Sequence, residues 1–294
     1  MLKYLKSFCV SLSCLLFMSL AYAAPTGEEY GTILNLSGKQ RMLSQKMSKE
    51  VTLIALKVDV TANIINLTNT SALFDKTLTG LRSGDSSLGL PPTTSKRILR
   101  QLNKIDKIWV EFYPIVKSIT ANQTVSQEQL DFIAKNNLPL LKQMNKAVGL
   151  YEKDAKKNGL KGSGDLATTI NLAGKQRMLT QKMSKEFFLI ALNHNTDDNK
   201  LNLLDTYSLF DTTLHGLKDG NDTLGLPGTQ VPAIRSQLDN VNSLWSGFKP
   251  MVVKGTEKST SSIPQADITA VASNNLPLLK EMNKAVQMFA NEAK

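Results

Sequence analysis

The sequence predicts an all-α protein of two tandem four-helix bundles packed side by side as a pseudo-dimer, and three observations predict it. The block Asn35 to Glu50 returns as Asn171 to Glu186 with two changes, Ser37 to Ala173 and Ser44 to Thr180. Apolar residues recur at helical spacings of three and four through both halves. Glycine and proline punctuate the two halves at matched places, as where Leu88-Gly89-Leu90-Pro91 returns as Leu224-Gly225-Leu226-Pro227.

The elements follow in order. Lys3 and Lys6 precede an apolar run that ends in Ala21-Tyr22-Ala23, the pattern of a secretory signal peptide over residues 1–23. The run is too short for a comfortable span, and no later segment approaches the roughly 20 apolar residues that a transmembrane helix needs. Cys9 and Cys14 both fall in the signal, so disulfides, thiol chemistry and cysteine–metal sites are excluded from the mature chain. Without Lys3 and Lys6, 33 basic residues face 25 acidic ones, a net charge of +8. A secreted, periplasmic chain meets little nucleic acid, so that charge points to small anions or anionic surfaces.

The first unit is expected over 24–157 and the second over 158–294. Leu36, Leu43, Met47 and Ile54 stripe a first helix, and Leu67, Phe74, Leu78 and Leu81 a second. A third carries Ile98, Leu102, Ile105, Trp109, Phe112 and Val116, repeated as Ile234, Leu238, Val241, Trp245, Phe248 and Val252. A fourth carries Leu130, Ile133, Leu141, Met144 and Val148, and its Asn136 to Lys142 returns as Asn274 to Lys280. Gly84, Gly89, Pro91 and Pro92 separate the second helix from the third, and a polar stretch near Asn122 separates the third from the fourth. Pro139 and Pro277 interrupt the fourth pattern without shifting its phase, which predicts a kink and not a stop. An up-down-up-down bundle returns to its starting end. The glycine-rich Lys157 to Asp165 can therefore lead directly into the second unit.

The candidate chemistry lies on the repeated first helix. Ser37, Arg41, Ser44 and Ser48 share one face, with Gly38, Arg41 and Gln45 on the strip beside it. A mid-helix glycine costs about 1 kcal/mol against alanine, and close approach of another helix would explain Gly38 and Gly174. Such a crossing brings Arg41 near Arg177, where two guanidiniums repel and each needs an acceptor. A planar oxyanion satisfies both forks. An arginine among serines on a solvated helix face is the alternative at this point.

Ile33 to Gln45 and Ile170 to Gln181 closely resemble the first-helix motif of PilJ-type sensor domains, found in type IV pilus chemotaxis transducers and similar to the periplasmic domain of nitrate/nitrite sensor kinases. The resemblance implies a dimerising four-helix bundle in which Arg41 and Arg177 hold nitrate or nitrite and Gly38 and Gly174 line the site. Ser37, Ser44, Gln45, Ala173, Thr180 and Gln181 complete the candidate lining. Family members usually continue into membrane helices and a signalling domain. A soluble form would instead signal through a membrane sensor or transducer.

Other residues carry no such expectation. Met42, Met47, Met178 and Met183 fall at core spacing, and Trp109 and Trp245 sit in the seam of the third helix. Asp75 and Asp211 stand alone in sequence and read as solvated or capping. His194 and His215 lack counterparts in the first unit and read as surface or boundary residues. No catalytic arrangement, cofactor motif or metal-ligand spacing is found. The leading expectation is a periplasmic binding protein for a small oxyanion. The alternatives are a ligand-free interaction module docking a membrane sensor or pilus component, and a homodimer whose sites form between chains.

Overall fold

A computed structural model describes residues 24–158, 165–257 and 262–293. The expected signal peptide and residues 159–164 of the glycine-rich joining segment lie outside the described residues. The first unit comprises α1 (Gly27–Ala55), α2 (Val60–Ser83), α3 (Lys96–Asn122) and α4 (Gln127–Asn158). The second comprises α5 (Leu166–Ala191), α6 (Thr196–Asp219), α7 (Pro232–Val253) and α8 (Gln265–Asn291). The described residues contain these helices, three single-turn 3₁₀ segments and no strand.

Local chemistry sets the ends. Thr26 opens α1 with a capping box: its hydroxyl accepts from the Glu29 N–H, and the Glu29 carboxylate accepts from the Thr26 N–H at 2.7 Å. Between α2 and α3, Asp85 and Leu90 exchange backbone hydrogen bonds at 2.8 and 2.9 Å around a 3₁₀ turn. Gly89 there adopts φ +65°, and Gly225 repeats it at +63°. The repeated Leu-Gly-Leu-Pro thus builds a turn. Helices α4 and α8 run through Pro139 and Pro277, and α3 and α7 also contain Pro114 and Pro250.

Within each unit successive helices pack as a four-membered ring, and the first and fourth also touch. The most extensive contact in the molecule joins α1 to α5, supported by α1 against α8 and α4 against α5. Helix α1 is therefore surrounded by α2, α4, α5 and α8 and has hardly any solvated face over its second half. Gln40, Arg41, Gln45, Lys49 and Glu50 are all buried among its apolar residues. Helix α5 repeats the arrangement with Gln176, Arg177, Gln181, Lys185 and Glu186. The four methionines read as core are buried.

One reading is corrected. Asp75 and Asp211 are neither isolated nor helix caps: their Oδ1 atoms accept from Nε1 of Trp109 and Trp245 at 2.8 and 2.6 Å. The pairing was invisible in sequence because it joins α2 to α3 across 34 residues. It satisfies the one polar atom of an indole otherwise packed on Phe74 or Phe210. His194 sits at a boundary, with Nε2 at 3.1 Å from Asp131 Oδ1 of the first unit, and His215 is exposed. Among the described residues no helix is long and apolar enough to cross a membrane.

Candidate functional site at the crossing of the repeated helices

Helices α1 and α5 cross where Gly38 meets Gly174. A Cβ placed on either glycine would lie 3.9 Å from the Cα of the other. Arg41 and Arg177, one turn along, fold their guanidiniums back over this point. Both Nη2 atoms lie within 3.6 Å of the Cβ position on Gly38 and within 3.5 Å of that on Gly174. The glycines therefore leave a small space between two guanidinium tips that any larger side chain would fill.

Each guanidinium is held from the other unit. Arg41 donates from Nη2 to the Asn171 carbonyl at 2.9 Å, and Arg177 from Nη2 to the Asn35 carbonyl at 2.9 Å. Each also donates from Nη1 to an asparagine of its own unit's fourth helix. Arg41 reaches Asn145 Oδ1 at 3.3 Å and Arg177 reaches Asn283 Oδ1 at 2.9 Å. Arg41 is 3 % and Arg177 1 % exposed. Among the described residues no carboxylate bonds to either, and the Nε–H of both has no acceptor. The reading of a solvated surface arginine does not hold here.

Burial pulls Arg41 down to about 10, partly offset by the charge of Glu152. Burial, and after it the charge of Arg41, pulls Arg177 down to about 9. The difference follows from sequence: Glu152 on α4 accepts from Asn171 beside Arg41, and the matched position on α8 is Ala290. Lys39 and Lys175 border the crossing and are also lowered, first by burial and then by the opposite unit's arginine. The crossing thus holds an excess of positive charge where water is scarce, which suits a small anion.

The other candidate residues divide. Ser37 turns its hydroxyl to the Leu34 carbonyl, and Ala173 is buried at the matched place. Ser44 and Thr180 donate to the carbonyls of Arg41 and Arg177 at 2.8 Å. Gln45 and Gln181 belong to a second polar layer further along the helices. There Lys49 Nζ donates to Asn275 Oδ1 at 2.8 Å, and Lys185 Nζ to Asn137 Oδ1 at 2.8 Å and Gln45 Oε1 at 3.2 Å. Gln181 Nε2 donates to the same Asn275 oxygen. Burial pulls Lys49 down to about 7 and Lys185 to about 8, with Glu50 and Glu186 partly offsetting it.

Sequence reasoning missed Asn145, Asn283 and the two buried lysines. A signal existed: Met144-Asn145-Lys146 returns as Met282-Asn283-Lys284, and Ser48-Lys49-Glu50 lies inside the repeated block. No cluster of three or more His, Cys, Asp or Glu able to hold a metal occurs among the described residues.

Residues 26–132 and 160–272 each match the family described as the type IV pili methyl-accepting chemotaxis transducer N-terminal domain, PilJ. Over 125 residues the chain is 28 % identical to the methyl-accepting chemotaxis protein McpN of Pseudomonas aeruginosa. The aligned stretch is 42 % of this chain and 22 % of that relative, so the chain spans only a fraction of the relative's length. The duplication, the helical bundles and these matches agree: the chain belongs to the PilJ family and carries two PilJ domains in tandem.

Proposed function

We propose that this chain is a periplasmic sensor that holds one small planar oxyanion, nitrate or nitrite, between Arg41 and Arg177. Membership of the PilJ family makes it a sensing or interaction module of chemoreceptor type. The observation that carries the ligand is the pair of buried guanidiniums astride the glycine crossing, each with an Nε–H lacking an acceptor. Leaving such donors unfilled in a dehydrated seam is costly, and an anion with three coplanar oxygens can accept from both forks at once. Nitrate carries one charge and sheds water more readily than sulfate or phosphate, so a narrow seam favours it. The chain acts as a binding module and not as an enzyme, with a leader at 1–23 and units at 24–157 and 158–294. It passes occupancy to a membrane-bound transducer.

Thermal unfolding tests the reading. At 100 times its dissociation constant a ligand adds about 2.7 kcal/mol, so nitrate should raise the melting temperature by several degrees. Sulfate at matched ionic strength should do far less, and the nitrate effect should vanish in Arg41→Ala and in Arg177→Ala. A second reading, a ligand-free docking module, is favoured by the hydrogen bonds that already tie each guanidinium to the opposite backbone. It becomes the better account if no oxyanion shifts the melt beyond chloride.

A further inference from the structure

The two units differ most in charge. The first, over 24–157, carries 19 basic and 12 acidic residues, and the second, over 158–294, carries 14 and 13. Much of the excess gathers on one surface of the first unit. A groove of about 470 Å³ between α3 and α4 is lined by Arg97, Arg100, Lys104, Lys146 and Lys153, with Gly149 and Leu150 on its floor. None of the five cations has an ion pair or hydrogen bond among the described residues, and all five are exposed. Of the acids on α3 and α4, Asp106 pairs with Arg82, Asp154 accepts from Tyr30, and Glu152 is held by Lys156 and Asn171.

The second unit serves as an internal control. Matched positions there are Ala233, Ser236, Asn240 and Asn291, so four of the five cations are gone. The fifth, Lys284, is bonded to Glu281 at 2.7 Å, and Glu281 replaces the neutral Gln143. The floor is built alike in both: Gln101 Nε2 donates to Gln143 and Gln237 Nε2 to Glu281, at 2.9 Å. The same scaffold thus carries the charge in one copy only.

We propose that the α3–α4 groove of the first unit docks an acidic helix of a partner protein. The cations form two rails, residues 97, 100 and 104 on α3 and residues 146 and 153 on α4, each about 10 Å long at 1.5 Å per residue. A compact anion would engage two or three of them and leave the rest repelling, and a flat bilayer does not enter a groove between helices. A helix with carboxylates along both edges meets both rails. Gly149 lets its backbone approach, because nothing lies within 4 Å of the point a Cβ would occupy. The proposal stands apart from the anion site, since the groove and the Arg41–Arg177 crossing share no lining residue.

The test uses the full chain and a synthetic acidic helical peptide of about 20 residues, with Glu at successive i, i+3, i+4 and i+7 positions. A glutamine version is the control. Binding is read by fluorescence anisotropy at low salt and at 0.5 M salt. The variant Arg97→Ala/Arg100→Ser/Lys104→Asn/Lys153→Asn installs residues that the second unit already tolerates, so its fold should persist. We expect one acidic peptide per chain, at least about tenfold weaker binding in the variant and in high salt, and no binding of the glutamine peptide. Conversely, Ala233→Arg/Ser236→Arg/Asn240→Lys/Asn291→Lys should add a second equivalent. Equal peptide affinity in wild type and variant overturns the proposal. So does tighter groove-dependent binding of tripolyphosphate, or of phosphatidylglycerol vesicles, than of the peptide.

Discussion

Replacing Gly38 by alanine separates two explanations of a glycine in mid-helix. The added methyl would meet Arg41 Nη2 at 3.4 Å, Arg177 Nη2 at 3.6 Å and the Gly174 Cα at 3.9 Å, all ordinary contact distances. The crossing can therefore accept it without moving apart. Alanine is favoured over glycine inside a helix by about 1 kcal/mol, and 1 kcal/mol corresponds to roughly 2–4 °C in melting temperature for a domain of this size or somewhat larger. Gly38→Ala should thus melt a few degrees higher than wild type without nitrate. The same methyl fills the space between the guanidinium tips, so nitrate should no longer raise the melt. Thermal unfolding with and without nitrate reads both effects, and Gly174→Ala should reproduce them. A destabilised Gly38→Ala would show that the glycine serves packing, and a variant that still responds fully to nitrate would place the anion elsewhere.

Two further outcomes follow from the buried polar groups. Unfolded lysine holds its proton to about pH 10, whereas folded Lys49 and Lys185 release theirs at about 7 and about 8. Between pH 7 and 9 the unfolded chain therefore binds more protons, and stability rises with pH. The urea midpoint should increase from pH 7 to pH 9 in wild type and rise less steeply in Lys49→Met/Lys185→Met, where only the lowered Arg177, Lys39 and Lys175 still contribute. Equal slopes in the two proteins would refute this. Removing the acceptor of a buried indole N–H costs about 1–3 kcal/mol, so Asp75→Ala and Asp211→Ala should each lower the urea midpoint while the asparagine variants lose less. Unchanged midpoints would mean that the Trp109 and Trp245 pairings contribute nothing.

The fold was legible because the duplicated block and the third-helix stripe are strong signals. Ile98 to Val116 alternates cleanly with solvated residues, since α3 has one buried face and one wet one. The first helix of each unit was harder to read for the opposite reason. Surrounded by four neighbours, α1 buries Arg41 and Lys49 alongside Leu43 and Met47, so no amphipathic pattern separates core from site. Arg41 and Gly38 were still identifiable because a charge and a helix breaker inside a duplicated helix demand a reason. Gln45 and Gln181 share a strip with the arginine on a helical wheel, yet they serve the lysine layer, where Asn137 and Asn275 meet them. Such contacts across more than 90 residues are set by tertiary packing alone. The basic groove escaped notice because net charge, taken over the whole chain, averages a charged unit with a nearly neutral one.

We propose that the two PilJ units of one chain build one anion site at their shared crossing. Calorimetric titration of nitrate into residues 24–294, with their mass in solution measured on the same sample, is the decisive measurement. A monomer should saturate at one nitrate per chain, and changing either Arg41 or Arg177 to alanine should abolish binding. Two nitrates per chain with each substitution removing one, or half a nitrate per chain in a dimer, would contradict it.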